Sequence, residues 1–397
     1  DYVKNPGKYV MMPGNAKKRH VVVEERQKAL AQYAEECPLN TVEYNGTKIG
    51  VIASGIAYEY AREALPEASF FKLGLINPMP VERLREFASK VEKVIVIEEL
   101  DDIIETHCRK YGIPVVGKEL FSNIGEYTQK MIREKLLGEK TELFQFPETV
   151  PVRPPVMCPG CPHRGLFYVL HKLGVMVSGD IGCYTLGATP PLNAMDSTIC
   201  MGASISALHG FNKARGQESA QKAVAVIGDS TFMHSGITGL IDVTYNEGIS
   251  TIIVVDNSIT GMTGHQENPT TGRTLKGDIV EKISIEKVCE AVGVKRIRVV
   301  DPNEPKEMEQ VLREELAAAE PSVVISRRPC ALLKYVKAKP PVSIDAGKCK
   351  KCKACFKIGC PAIVMKNGQV TVDTTLCVGC GLCSKMCAFS AIEEVQA

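Results

Sequence analysis

Half of the chain's 16 cysteines fall between Cys349 and Cys387. Cys349, Cys352, Cys355 and Cys360 follow C-x2-C-x2-C-x4-C-P, and Cys377, Cys380, Cys383 and Cys387 follow C-x2-C-x2-C-x3-C. The first three of each set are offset by 28 residues, an internal duplication. Thiolates are soft ligands that select iron–sulfur clusters or zinc. Three closely spaced thiolates wrap one face of a four-iron cubane, and in paired-cluster runs the fourth cysteine ligates the other cluster. Cys349, Cys352, Cys355 and Cys387 are thus expected to hold one [4Fe–4S] cluster, and Cys377, Cys380, Cys383 and Cys360 a second. The small residues of "VGCGLC" let backbone amides approach the sulfurs. Two departures, the extra residue in the first set and Ala388 in place of the usual proline, touch no ligand. Structural zinc is the plain alternative, but eight thiolates without histidine at a duplicated spacing argue against it. Two clusters make a wire, and something upstream must supply the electrons.

A second constellation lies mid-chain. "KAVAVIGDSTF" reads as an apolar strand ending in Gly228-Asp229-Ser230; a helix, "GITGLIDVTYNEG", and a strand with its exit loop, "STIIVVDNSITGMTG", follow. A strand–helix–strand unit puts Asp229 and Asn257 at the carboxyl ends of parallel strands, where open α/β sheets bind ligands. One carboxylate, one amide oxygen and a backbone carbonyl suit Mg²⁺, whose remaining positions go to phosphates, and the helix start adds amides for the anion. Taken singly, these residues read as an ordinary strand end and turn; their spacing and the "TGMTG" loop favour a site.

A third feature, "VMCPGCPHRG", carries Cys158 and Cys161 at C-x-x-C spacing after a proline-rich stretch. Zinc needs two more ligands, and His163 sits too close to Cys161 for a comfortable chelate. A redox dithiol expects a strand before the pair and a long helix after it, in another fold.

The elements that must position these groups follow from periodicity. With 397 residues, 45% hydrophobic, 24% charged and net +2, the chain reads as a multi-domain globular protein without the basic field of a nucleic-acid or membrane partner. Its apolar runs fall short of a membrane span, no signal-peptide pattern opens it, and its cysteine usage suits a reducing cytoplasm. It opens on Asp1, as a part of a longer chain would. Residues 1–45 read as a linker or the remnant of a preceding domain, with one helix over "KKRHVVVEERQKALAQYAEECP". Strand–helix alternation makes 46–142 an α/β domain, in which Glu98, Glu99, Asp101 and Asp102 read as a solvated strand end. A proline-rich joint leads to a second α/β domain over 151–335, and a proline-bearing, flexible joint leads to the cysteine-dense 341–397. The expected fold is α/β: two doubly wound domains followed by a small α+β two-cluster domain.

"GDS…DN" resembles the thiamine-diphosphate motif of the transketolase-like superfamily. "DNSITGMTGHQ", with "CPGC" and "SGDIGCY" upstream, resembles the 2-oxoacid:ferredoxin oxidoreductases. "CPGCPHRG" with a fused two-cluster tail is most similar to their α subunits acting on indolepyruvate-like aryl 2-oxoacids. The resemblance covers roughly 46–397, with 46–142 matching a transketolase C-terminal-like domain. It implies thiamine diphosphate bound through Mg²⁺ by Asp229, Asn257 and the Ile259 carbonyl, with Gly228, Ser230, Gly261 and Met262 lining the diphosphate. Ser230 departs from the usual glycine. It implies oxidative decarboxylation of a 2-oxoacid with coenzyme A, electrons passing to ferredoxin, and a β subunit in a cytoplasmic hetero-oligomer. The family's pyrimidine-binding domain and its activating glutamate are not visible in the sequence.

By the same resemblance Cys158, Cys161, Cys183 and Cys330 make a third [4Fe–4S] cluster beside the cofactor. The alternative keeps them as buried structural thiols, with Cys183 packing against the cofactor. His265 and His234 are candidates to bind substrate or coenzyme A. His209 reads as a core histidine, His163 and Arg164 face a phosphate or a subunit interface, and Tyr184 suits packing or site equally. Two other functions compete: a non-oxidative thiamine enzyme, which has no use for the clusters, and an electron-transfer subunit without its own active site.

Overall fold

The computed structural model describes residues 1–140 and 142–395. Contacts divide the chain into two compact units, Asp1–Val150 and Pro151–Ala397.

The first unit carries a 24-residue helix, Pro13–Glu36, that buries only Ala34. Its sheet has four strands, β1 (Thr41–Glu43), β2 (Ile49–Ser54), β3 (Ser69–Leu73) and β4 (Lys93–Ile97), in the order β1-β3-β2-β4. Parallel strands with helices on both faces bury every side chain, which explains the unbroken apolar runs. Val51, Ala53, Phe70, Ile95 and Ile97 enter one core, and Ile52, Phe71, Leu73, Val94 and Val96 the other. β1 is antiparallel to β3, a departure from the all-parallel expectation; three residues are too few to show a period. Glu98 is not a solvated strand end: its carboxylate accepts the Ile104 and Glu105 amides at 2.8 and 2.9 Å at the start of the helix Ile103–Lys110. Glu99 accepts the Tyr127 amide at 2.8 Å. Both carboxylates are engaged with backbone rather than poised for acid–base work.

The second unit is built on six parallel strands: β5 (Met176–Gly179), β6 (Ser197–Thr198), β7 (Ala223–Gly228), β8 (Thr251–Asp256), β9 (Arg296–Val300) and β10 (Ser322–Arg327). Their order is β6-β5-β7-β8-β10-β9. Alternation along β7 and β8 separates two cores. Val224, Val226, Ile253 and Val255 meet the helices His163–Leu173 and Pro305–Leu316, while Ala225, Ile227, Ile252 and Val254 meet Ala203–Arg215 and Ile237–Tyr245. The cysteine-rich tail adds two small hairpin-like pairs, β11 (Ser343–Ile344) with β14 (Ile392–Glu393) and β12 (Ile363–Lys366) with β13 (Gln369–Val372).

The tail does not trail from a loose joint, as the proline-bearing stretch suggests. The Lys339 amide donates to the Val378 carbonyl at 3.1 Å. Asn303 Nδ2 donates to the Cys380 carbonyl at 3.1 Å, and Lys385 pairs with Glu304. Tail and α/β core are one packed body because the tail's own apolar cluster is small and shares Tyr168 with the larger core.

Gly165 makes one close approach possible. A Cβ there would lie 1.7 Å from the Pro302 carbonyl oxygen, so the helix and the loop that holds Asn303 must separate to admit it. Gly165→Ala is expected to lower the unfolding free energy by about 1–3 kcal/mol, read as a reduced urea midpoint with an unchanged m-value.

Candidate active site and electron path

β7 and β8 are adjacent, with Gly228 opposite Val255, so the residues that leave them meet at one end of the sheet. Asp229 and Asn257 are buried there, with Ile259 beside them. Asp229 Oδ1 accepts the Ser230 amide at 2.7 Å, and Thr270 Oγ1 donates to Oδ2 at 3.5 Å. Asn257 Oδ1 accepts the Ile259 amide at 3.3 Å, and Ser258 turns the chain at φ +59°. Burial first, and the nearby charge of Asp256 second, push the Asp229 carboxyl up to about 7. Asp256 is itself held by Arg327 Nε at 2.7 Å, and Arg327 also grips Glu286, drawing that carboxyl down to about 2. Asp229 has no cationic partner of this kind among the described residues, and a desolvated carboxylate beside a second carboxylate suits a bound cation.

These groups border a cavity lined also by His163, Cys183, Tyr184, Gly228, Ser230 and Gly261. Thr260, Met262 and Thr263 continue its wall. The Tyr184 ring explains Gly228: a Cβ there would sit 2.8 Å from it. Tyr184 donates to the Ile181 carbonyl at 3.0 Å, and its ring meets His163 edge-on at 5.9 Å. Burial holds His163 down to about 4, so its imidazole is neutral at pH 7. His234 and His265 are exposed and lie outside the lining; His234 bonds Ser235 Oγ at 2.7 Å. His209 packs in the core of its helix, 3.8 Å from Asp242.

The thiols of Cys158, Cys161, Cys183 and Cys330 lie near one another beside this cavity. Cys158 is close enough to Cys161, Cys183 and Cys330 for its charge to bear on each. Cys183 lines the cavity and faces Gly261, whose Cβ would stand 3.4 Å from its sulfur. The Cys330 amide donates to the Asn257 carbonyl at 2.9 Å, tying its thiol to the Asn257 loop. Burial pushes the Cys161 thiol up to about 12 and raises those of Cys183 and Cys330.

In the tail, Cys360, Cys377, Cys380 and Cys383 line one cavity together with Pro159, Gly160, Cys161 and Arg164. Cys349, Cys352, Cys355 and Cys387 line another. Each cavity thus takes its fourth thiol from the other half of the duplication. Among the described residues no three such side chains converge to the spacing of a single metal ion. Four thiols from two halves of a duplicated run, gathered on one cavity wall, are the donor set of a cubane in paired-cluster proteins.

Arg164 lies between the Cys158–Cys161 turn and the cavity bearing Cys360, 2% exposed. Its Nε donates to the Cys158 carbonyl at 3.2 Å, Nη1 to Ile358 and Gly359 at 3.0 and 2.5 Å, and Nη2 to Met157. Every partner is a neutral carbonyl. A buried cation without an anion is costly, and the groups that would offset this one are the sulfurs of Cys158, Cys161, Cys360 and Cys380 once they bind a cluster as thiolates. Thiolate-bound clusters carry net negative charge, so both pockets fit such a group. Gly160, at φ +68° with Val378 2.4 Å from where its Cβ would stand, lets the C-P-G-C turn seat against the tail.

Residue types did not mark several of these positions: Asn268 and Thr270 around Asp229, Asp256 behind it, and Asp180, whose Oδ2 accepts the Gly202 amide at 2.8 Å. The one signal was Arg164, the single basic residue in "CPGCPHRGLF" able to reach in several directions.

Residues 180–326 match the model of the thiamine pyrophosphate enzyme C-terminal TPP binding domain, and 370–393 match a 4Fe-4S binding domain. An α/β fold of this kind, with its cavity at the β7–β8 exit and an iron–sulfur tail, defines an oxidoreductase of the thiamine-diphosphate class. The indolepyruvate oxidoreductase subunit IorA of Thermococcus kodakarensis is 35% identical over 441 residues, covering 100% of this chain and 68% of the relative. That of Pyrococcus horikoshii is 36% identical over 442 residues, with the same coverages. That of Methanothermobacter thermautotrophicus is 34% identical over 419 residues, covering 98% and 67%. The chain belongs to the indolepyruvate oxidoreductase subunit IorA family. None of the described helices is long and apolar enough to cross a membrane.

Proposed function

We propose that this chain is the thiamine-diphosphate-binding subunit of a 2-oxoacid:ferredoxin oxidoreductase. The reaction is oxidative decarboxylation of an aryl 2-oxoacid of the indolepyruvate type, with coenzyme A, to an aryl-acetyl-CoA and carbon dioxide. Its electrons leave through iron–sulfur clusters to ferredoxin. Asp229, Asn257 and the Ile259 carbonyl hold Mg²⁺, and Gly228, Ser230, Gly261 and Met262 line the diphosphate. When bound, the cofactor supplies the electron sink for cleaving the bond beside the ketone.

The chain's own residues prepare that chemistry. Thr270 and Asn268 orient the Asp229 carboxylate, Tyr184 closes the floor above Gly228, and neutral His163 offers hydrogen bonding without charge. His265 and His234, exposed outside the lining, stand ready for substrate or coenzyme A arriving from solvent. A pyrimidine-binding domain completes the cavity and brings the activating glutamate, within a hetero-oligomer that includes a β subunit. In domain terms, 46–142 is the transketolase C-terminal-like part, 151–335 the thiamine part and 341–397 the two-cluster part, in a cytoplasmic enzyme.

One observation carries this reading: Cys183 lines the cofactor cavity while Cys161 lines a tail cavity, and Cys158 is near both. Cys158, Cys161, Cys183 and Cys330 therefore hold a third [4Fe–4S] cluster, the first stop for electrons. Anaerobically purified protein is expected to contain about one thiamine diphosphate and, from three [4Fe–4S] clusters, about twelve iron atoms per chain. About eight iron atoms would remove the third cluster. Full iron without thiamine diphosphate would leave an electron-transfer subunit lacking its own active site.

A further inference from the structure

The two tail cavities differ in what surrounds them. The one bearing Cys360, Cys377, Cys380 and Cys383 is shared with Gly160, Cys161 and Arg164 of the thiamine part. The one bearing Cys349, Cys352, Cys355 and Cys387 is lined by tail residues alone, from Ile344 to Ile392. That asymmetry fixes an order, with the shared cavity inward and the other outward. Cys352 is exposed, as is Phe389 on the same wall.

The outward cavity has an unusual rim. Lys348, Lys350, Lys351, Lys353, Lys357 and Lys366 are all exposed, and no acidic residue interrupts the chain between Gly347 and Val372. Lys350 and Lys353 stand on the cavity wall itself. Lys351 and Lys353 adopt φ +54° and +61°, turning the loop tightly around the thiols. Lys348 is paired with Asp345 and Glu393 at 3.5 and 2.6 Å; Lys350, Lys351, Lys353 and Lys357 have no ion-pair partner among the described residues. The chain as a whole is nearly balanced at +2, so this density of one sign is local. Like charges crowded on a short loop repel one another, and a solvated face needs no such concentration; an oppositely charged partner offsets the repulsion.

We propose that this lysine rim is the docking surface for an acidic, low-potential electron carrier of the ferredoxin type, seated over Cys352 and Phe389. The outward cavity is then the exit of the wire. The proposal rests on the reading of that cavity as a cluster site. Charge complementarity sets the encounter rate and its salt dependence, and the bare lysines supply a one-sided field where the electron must leave.

Lys357 and Lys366 are exposed, outside the cavity lining and not adjacent to a cysteine, so a Lys357→Glu/Lys366→Glu variant of the complete holoenzyme leaves the thiols alone. With an acidic two-cluster ferredoxin as acceptor at low ionic strength, kcat/KM is expected to fall about tenfold or more. The loss should sit in KM rather than kcat and shrink as salt is added. With methyl viologen, a small dication, the rate should hold or rise. Iron content and the reduced-cluster electron paramagnetic resonance signal separate the two layers of inference. A parent enzyme without tail clusters overturns the cluster reading and the proposal with it. A variant with full iron whose ferredoxin kcat/KM stays within twofold of the parent, at unchanged salt dependence, overturns the docking surface alone. So does equal loss with ferredoxin and viologen.

Discussion

Replacing Asp229 by asparagine is expected to abolish cofactor retention and at the same time to stabilise the metal-free protein. In the absence of a cation, the Asp229 carboxyl is buried beside Asp256 and its pKa is pushed from 3.8 up to about 7. A carboxyl whose folded pKa lies above its unfolded value weakens folding once the unfolded chain ionises. The penalty is absent below pH about 4, grows as the pH rises, and is complete above about 7. Asparagine keeps the shape without the charge. In chelator-treated protein the variant should gain on the order of 2–4 kcal/mol at pH 8 and little at pH 4.5, measured by urea unfolding. With Mg²⁺ and thiamine diphosphate the ranking reverses, because the parent gains ligand stabilisation and the variant does not. Activity should drop at least about a hundredfold, more than outer-sphere substitutions at metal sites cost. Equal urea midpoints for parent and variant in chelator at pH 8 would count against a charged, cation-poor Asp229.

Arg164→Met is the second large effect. Methionine fills much of the volume but leaves the carbonyls of Met157, Cys158, Ile358 and Gly359 without their donor. It also removes the positive charge between two thiolate pockets. Losses of about 3–5 kcal/mol follow from breaking a buried, charge-assisted network. The tail should then loosen from the helix His163–Leu173, with limited proteolysis opening the stretch Val336–Pro341 and iron content falling. Arg164→Lys separates charge from geometry: a point charge with three donors restores part of the iron but not protease resistance. If methionine left both readouts at parent values, the guanidinium would be a passenger.

How far the sequence carried was decided by the range of the interactions involved. Local periods and turn chemistry marked β2, β4, β7 and β8, because strands buried on both faces must be apolar throughout. β1 escaped because three residues, "TVE", carry no period. The duplicated cysteine spacing marked which thiols share a cavity, since that pairing follows from ligand geometry. Asp229 and Asn257 were legible because adjacent parallel strands bring their exits together. The loop residues Asn268 and Thr270 were not, because their approach to Asp229 depends on a long excursion after Gly261. The histidines were the least legible: His234 and His265 are near the site in the chain, and the fold leaves both exposed outside the cavity lining. His163, the first residue of its helix and two after Cys161, lines the cavity instead.

Arg164 and its partners Ile358 and Gly359 are 194 and 195 residues apart. At about 5–20 residues per second of synthesis, roughly 10–40 s pass between their emergence from the ribosome. During that interval the six-stranded body can form while the guanidinium meant for its interior still faces water. The last segment to arrive, 341–397, is also the one that carries the eight clustered thiols. Maturation therefore has a built-in order, with the α/β body ready first and metal insertion coinciding with closure over Arg164. Starving the cell of iron should then yield a protein whose body is folded but whose tail stays open to proteases.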